Sequence, residues 1–445
     1  MKSKDIQQTF LEFFDQRGHV TLPGSPLVPA NDPTLLFTNA GMVPFKDTFL
    51  GIEQRPYSRA CTIQKCLRVS GKHNDLQSVG PSPRHHTFFE MLGNFSFGDY
   101  LKSEAISFAR ELLTQVFLLP VERLWITVYT DDDEAEQLWE EAGVEKQRIL
   151  RFGEKENFWA MGDTGPCGPC SEIHYYLGSD INAQSAGEIN GDDDDYMELW
   201  NLVFVQYNCD EQGVLTPLHS PSVDTGMGLE RLACVLQGVK TTYETDLFQP
   251  VLRRIMELIS KDGHHYRRYR ASYNTIADHS RAIAFLIADG VRPGNGWRDY
   301  VLRRIIRRAA YVGKTLGLDR PFLASVADAV IDTMGELYPD LLIKREIVIA
   351  VTTAEEERFN RTLTTGLRYL EMAIDLMAQQ NTTMLPGREA FKLHDTYGFP
   401  LDLTQKILAE RNLDVNVEEY EEARREQQER SRVATHSKRG REKGN

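Results

Sequence analysis

Apolar residues near the start of the chain recur at helical intervals. Ile6, Phe10, Phe13 and Phe14 fall on one face, which predicts an amphipathic helix over residues 3–17. Ser3 is the expected cap and Gly18 the expected stop. Pro23, Pro26, Pro29 and Pro33 then punctuate an irregular stretch. Leu35-Leu36-Phe37 and the run from Leu124 to Tyr129 have strand character. Met197 to Tyr207 alternates with a period of two, so Asn201, Val203 and Val205 share one face and Trp200, Leu202 and Phe204 the other. After Lys240 the pattern turns helical, as in Phe359, Leu363, Leu367, Leu370, Ile374 and Met377. The expectation is an α+β chain: a sheet-bearing domain over 1–240, then an all-α domain over 241–445. The tail from Glu418 onward mixes both signs of charge with little to bury, and is expected to be a helix that frays into disorder.

Composition narrows the classes. The chain has 445 residues and 41% hydrophobic content, enough for two or three cores. Its net charge of -14 argues against indiscriminate polyanion binding but leaves room for a local basic face. No apolar run approaches the roughly 20 residues of a membrane span. Met1 to Ile6 is polar and charged, unlike a signal peptide, so a cytoplasmic protein without membrane partners is expected. Six cysteines are too few and too unevenly spaced for a disulfide framework. Cys167 and Cys170 have CxxC spacing but no further ligand pair nearby, so a packed turn is favoured and no zinc-type metal site is expected. The polar stretch 178–195, ending in four aspartates from Asp192 to Asp195, fits a solvated loop better than a metal site.

Three segments carry candidate chemistry. In the first, Ser222-Val223-Asp224 ends a predicted strand, and Gly226 and Gly228 let backbone approach a ligand. Leu229, Leu232, Ala233 and Leu236 then form a helical stripe that stops at Gly238. Arg231 therefore lies in the first turn of a helix, where a phosphate is favoured. The third glycine of a dinucleotide fingerprint is absent, and a plain glycine turn before a core helix is the competing reading. In the second, residues 68–75 and 84–90 are rich in cations and aromatic rings and flank a Gly/Pro/Ser loop. Such a hairpin can set an arginine on a phosphate and a ring on a base, or simply pack its phenylalanines. In the third, residues 157–172, dense Gly and Pro predict a rigid loop that carries Trp159.

Taken together the segments resemble the catalytic half of the alanyl-tRNA synthetase family, within the class II aminoacyl-tRNA synthetases. DTGMGLER (224–231) resembles class II motif 3, and Arg68 with the loop before His85 and Phe89 resembles motif 2. LLFTNAGM (35–42), RHHTFFEMLGNFSFGDY (84–100), MGDTGPCGPC (161–170), LRRIIRRA (302–309) and HDTYGFP (394–400) are similar to the alanyl family in particular. The resemblance runs from about residue 5 to 430.

The resemblance implies an antiparallel sheet flanked by helices, then a helical domain that reads a tRNA acceptor stem. It implies ATP and Mg2+ as cofactors, and L-alanine and tRNA(Ala) as partners. Arg68 would hold the α-phosphate, Arg231 the γ-phosphate of a bent ATP, and Phe89 would stack on adenine, with His85 and Gly228 beside them. Lys72 would assist adenylate formation as a third catalytic residue with the two arginines. Asp224 would pair with the ammonium of alanine and Asn201 with its carboxylate, while Trp159, Val203 and Gly226 wall the pocket. Asn295 and Asp395 match the readers of an acceptor-stem G·U wobble pair. Arg303, Arg304, Arg307 and Arg308 would form a basic helix face for RNA phosphates, although a solvated face has the same pattern. Gly296-Trp297-Arg298-Asp299 departs from the family pattern beside Asn295.

Family members normally continue into editing and oligomerisation regions. A monomer without editing in cis is therefore expected, one that activates some serine or glycine. Two other readings compete: a ligase that loads a carrier protein, and an inactive RNA-binding regulator. The possible stem readers argue against the first, and the intact Arg68, Asp224 and Arg231 against the second.

Overall fold

The computed structural model describes residues 1–30, 35–70, 73–191, 194–261 and 263–427. The chain divides into two compact units. The first comprises Met1–Val291 with Ser325–Ile347, and the second Arg292–Ala324 with the chain from Val348 onward.

A sheet of nine strands organises the first unit. In chain order these are β1 (Val20–Leu22), β2 (Arg59–Leu67), β3 (Phe88–Ser96), β4 (Leu124–Tyr129), β5 (Ile149–Phe152), β6 (Phe158–Ala160), β7 (Gly165–Tyr176), β8 (Tyr196–Cys209) and β9 (Leu215–Gly228). The spatial order is β1-β2-β3-β9-β8-β7-β4-β5, with β6 beside β7. Pairing is antiparallel except at the two edges, where β1 joins β2 and β5 joins β4 in parallel. β2 and β3 form one long hairpin, from Arg59 opposite Ser96 to Leu67 opposite Phe88; of the second candidate segment, 68–75 and 84–87 fall between them and 88–90 open β3.

The alternation expected on β8 sorts its side chains onto opposite faces. Trp200 packs on Phe10 and Phe14 of helix α1 (Ser3–Asp15), with ring centroids 6.2 and 6.4 Å away. Val203 and Val205 pack on the other face with Ala40, Phe45, Phe95 and Met161. Several expectations need correction. Helix α1 is capped at Lys2 rather than at Ser3, whose hydroxyl and backbone N–H both donate to the Asp246 carboxylate, at 2.5 and 2.9 Å. Leu35-Leu36-Phe37 forms no strand. Residues 165–170 are strand rather than loop, since β7 pairs with both β6 and β8. The strand expected to end at Asp224 continues to Gly228.

The change of pattern at residue 240 is not the boundary between the units. Helices α2 (Leu229–Leu236), α3 (Gln249–Ile259) and α4 (Arg270–Ala288) all belong to the first unit. α4 stacks Phe285 on Phe88 of β3, with centroids 4.2 Å apart. Its fully buried Arg281 donates to Glu230 of α2 at 2.7 Å and lies 3.5 Å from Glu90 of β3. Gln7 of α1 also donates to Glu90, at 2.6 Å. The helical residues up to Val291 thus cover the nine-stranded sheet.

The second unit is built on α5 (Trp297–Thr315), α6 (Arg345–Gln379) from Val348 onward, α7 (Gly387–Tyr397) and α8 (Leu401–Ala409). It is not purely helical, because Met384–Leu385 pairs in parallel with Asp414–Val415. Buried Glu356 accepts from the backbone N–H groups of Phe322 and Leu323, at 3.1 and 2.9 Å. Residues 417–427 are helical, and the tail beyond them lies outside the described residues. Among the described residues, no helix is long and apolar enough to cross a membrane.

Candidate active site

A cavity of about 280 Å3 opens over the face of the sheet that carries Asn201 and Val203. Its lining includes Arg68, His85, Phe89, Trp159, Asn201, Val203, Asp224, Gly226, Gly228 and Arg231. These come from four segments far apart in the chain. Lys72 lies outside the described residues, as do Asp192 and Asp193 of the acidic run.

One side of the cavity is cationic. Arg231 sits in the first turn of α2, and its Nη1 donates to the Glu198 backbone carbonyl at 2.9 Å and to Glu198 Oε2 at 2.7 Å. Burial alone would raise the Glu198 carboxyl, but Arg231, helped by His174, outweighs it and holds the group down to about 2. Arg68 is anchored by Nε on the Asn39 carbonyl at 3.1 Å, with its guanidinium 5.1 Å from the centre of the Phe89 ring. His85 shares a 2.7 Å hydrogen bond with Ser82 Oγ, and burial together with Arg231 pushes its imidazole down to about 4. His85 is therefore neutral near pH 7, and the positive charge comes from the arginines.

The other side is small and acidic. Asp224 lies opposite Val203 on β8 and Phe95 on β3. It is 5% exposed, and burial pushes its carboxyl up to about 7. No described group neutralises it. Asn201 lies opposite Gly226 on one side and Glu172 on the other. Its Nδ2 donates to Glu172 Oε1 at 3.3 Å, while its Oδ1 is buried without a protein partner. Met91 forms the floor: it accepts from the Gly41 N–H at 3.2 Å, and a Cβ on Gly226 would stand 2.7 Å from its sulfur. Trp159 packs against the apolar cluster that contains Val203, Met161 and Cys170.

Glu198, Glu172 and Met91 were not expected at the site. Strict alternation puts Glu198 with Trp200, away from Asn201. The register of β8 against β7 slips between Glu198 and Trp200, and this irregularity turns Glu198 into the cavity. Such a slip leaves no mark in hydrophobic periodicity.

The second unit holds its own polar cavity of about 440 Å3, lined by Asn295, Arg303, Arg307, Arg358, His394, Asp395 and Arg424 among others. Arg303 donates to Asn295 Oδ1, and Asp395 accepts from Gln427 at 3.4 Å. The open basic face expected of α5 is not present as such. Arg307 is tied to Glu355 at 2.7 Å and to the Gly398 carbonyl at 2.6 Å. Arg304 and Arg308 lie 4.0 and 3.7 Å from Asp402, away from this cavity, and Arg308 is only 3% exposed. Helix α5 is buried on most sides, so its arginines face carboxylates on α6 and α8 rather than water. Trp297, by contrast, is 77% exposed and holds a left-handed φ of 49°.

The family model for tRNA synthetases class II (A) matches residues 5–444. An alanine–tRNA ligase of Roseiflexus sp. (strain RS-1) is 59% identical over 448 residues, covering 99% of this chain and 49% of that protein. Those of Chloroflexus aurantiacus and Halorhodospira halophila are 58% and 53% identical, covering 99% and 98% of this chain and 50% of each relative. The chain spans about half the length of these curated relatives. With its antiparallel sheet and its paired cationic and acidic cavity walls, the chain belongs to the class II (A) family of tRNA synthetases.

Proposed function

We propose that this chain activates L-alanine with ATP and transfers the alanyl group to the 3′ end of tRNA(Ala). The observation that carries the reading is the buried, unneutralised Asp224 facing the same small cavity as Asn201, Val203 and Arg231. An amino acid brings an ammonium to Asp224, where it supplies the missing counter-charge. Its carboxylate lies towards Asn201, whose amide must turn its Nδ2 from Glu172 to donate. Gly226, Met91 and Val203 leave room for a methyl side chain.

ATP takes the cationic side. Arg68 holds the α-phosphate, Arg231 the γ-phosphate, and Phe89 stacks on the base. The alanine carboxylate attacks the α-phosphorus in line, forming the alanyl-adenylate as pyrophosphate leaves. The terminal ribose hydroxyl of the tRNA then attacks the alanyl carbonyl, and AMP leaves. Positioning and charge stabilisation dominate such steps. The donor set suits Mg2+ carried on the phosphates: Glu198 and Glu172 are the cavity's carboxylates nearest Arg231 and Asn201, and one or two such oxygens suffice. When bound, that ion neutralises phosphate charge.

Serine differs from alanine by one hydroxyl, which a pocket of this kind rejects only about 100-fold. Asn295 and Asp395, on the polar cavity of the second unit, read the acceptor-stem wobble pair. Arg303 lines that cavity and takes an adjacent phosphate, while Arg307, held by Glu355 and the Gly398 carbonyl, shapes its wall. Charging of paired tRNA transcripts tests the reading. A transcript with G·U is expected to be charged, and one with G·C at least about 100-fold less efficiently, the order set by one or two lost base contacts. Equal charging would overturn the wobble assignment. Exchange of pyrophosphate without charging of either transcript would point to a carrier-loading ligase.

A further inference from the structure

Residues 263–270, Gly-His-His-Tyr-Arg-Arg-Tyr-Arg, place three arginines, two histidines and two tyrosines in eight positions of a chain whose net charge is -14. A short helix, Gly263–Arg268, runs almost directly into α4. Arg267, Arg268 and Arg270 are exposed, and none pairs with a carboxylate among the described residues. Two cationic groups at the cavity behave differently: Arg231 is held by Glu198 and Arg84 lies near Asp194. Tyr269 is 39% exposed, with the Arg268 guanidinium 5.4 Å from its ring centre. Beneath it, His265 lies 4.6 Å from Tyr269 and 5.8 Å from Tyr273, centroid to centroid. The two rings back the exposed one.

The patch is fastened to the loop that feeds the active-site cavity. Tyr266 donates to Asn274 Oδ1 at 3.3 Å, and Asn274 Nδ2 donates to the Gly80 carbonyl at 3.4 Å. Thr275 Oγ1 reaches the Val79 carbonyl at 3.4 Å. Gly80 has a φ of 101°, and a Cβ there would stand 2.2 Å from Thr275 Oγ1, so the approach requires glycine. From Gly80 the chain runs straight into Arg84, His85 and His86, which line the cavity.

We propose that Arg267, Arg268, Tyr269 and Arg270 bind the single-stranded 3′ end of the tRNA as it enters the active site. The arginines take backbone phosphates, and Tyr269 offers a stacking face to one base, the combination that suits unpaired RNA. The patch lacks the exposed aliphatic residues by which a protein surface enters a lipid bilayer. Through Asn274 and Gly80 it is joined to the segment that lines the cavity at Arg84, His85 and His86. The inference rests on the proposal that the chain charges tRNA.

The test replaces Arg267, Arg268 and Arg270 together by glutamine, with Tyr269→Ala made separately. Alanine-dependent pyrophosphate exchange, which uses no RNA, should stay within about twofold and shows that the site is intact. Filter binding of a tRNA(Ala) transcript should weaken at least tenfold in the triple variant. Its logarithmic salt slope should fall by about 2, at roughly 0.7 per lost single-strand phosphate contact. The Tyr269→Ala variant should weaken binding several-fold with an unchanged slope. With a transcript that lacks its four 3′-terminal nucleotides, both losses should vanish. Unchanged binding and slope would overturn the proposal, and so would a loss that persists with the truncated transcript. Capture of phosphatidylserine vesicles by the wild type but not the triple variant, with tRNA binding unaltered, would overturn it in favour of a membrane. If the wild type showed no exchange or charging, the functional reading would fail, while the binding comparison would still decide the patch.

Discussion

Replacing Asp224 by asparagine keeps the shape of the side chain and removes its charge. In the folded chain burial raises this carboxyl from 3.8 to about 7. A shift of that size corresponds to about 4 kcal/mol, at 1.36 kcal/mol per unit. Between about pH 4 and pH 7 the folded state holds a proton that the unfolded state has lost. The stability of the wild type therefore falls as pH rises through this window, and is level above it. The asparagine variant lacks the effect. In urea titrations the wild type should lose about 2–4 kcal/mol relative to Asp224→Asn between pH 4 and pH 8, the lower figure allowing for relaxation around the charge. The catalytic consequence has the opposite sign. An ammonium binds the ionised carboxylate, so the KM for alanine should be about tenfold higher at pH 6 than at pH 8, following the ionised fraction of a group near 7. Asp224→Asn should flatten that profile and raise the KM for alanine about 100-fold or more, with the KM for ATP within threefold. A flat wild-type profile, or equal losses for alanine and ATP, would refute the assignment.

Arg231→Lys should lower kcat/KM in exchange by about 100-fold, because a lysine cannot reproduce the fork that grips both Glu198 and a phosphate; steady-state kinetics in ATP check this. Gly80→Ala should destabilise the first unit by about 2–3 kcal/mol, since its φ of 101° and a Cβ 2.6 Å from the Ala271 carbonyl leave no room to adjust; a denaturation midpoint reads the change. Arg281→Met leaves Glu230 and Glu90 buried together without their cation and should cost about 3–5 kcal/mol in the same measurement. Trp297→Gly should stabilise the second unit by about 1 kcal/mol, because an exposed ring gives up little packing and a left-handed φ suits glycine; its thermal transition should rise by a few degrees.

The cavity was legible where local pattern and chemistry coincide. Alternation placed Asn201 and Val203 together, and the helical stripe after Gly228 placed Arg231 in a first turn. Glu198 was hidden by a slip in register, which depends on the partner strand and not on the residues themselves. The glycines at 226 and 228 suggested that the strand ended early, yet the strand runs through both, and Gly226 is there because Met91 packs against it. The arginines of α5 read as an open basic face for RNA phosphates, since the acids that hold them, Glu355 and Asp402, are 48 or more residues away in sequence. The boundary was misplaced for a similar reason: α3 and α4 have ordinary amphipathic patterns, and only packing assigns them to the sheet.

The central claim is that Asp224, Asn201 and the floor at Met91 select a small amino acid for activation beside Arg68 and Arg231. ATP–pyrophosphate exchange by this chain, measured with each of the twenty amino acids in turn, tests it most directly. Exchange should be strongest with alanine, roughly 100-fold weaker in kcat/KM with serine, weaker by 10–200-fold with glycine, and undetectable with valine or larger side chains. Equal exchange with large side chains, or no exchange with alanine, would contradict it.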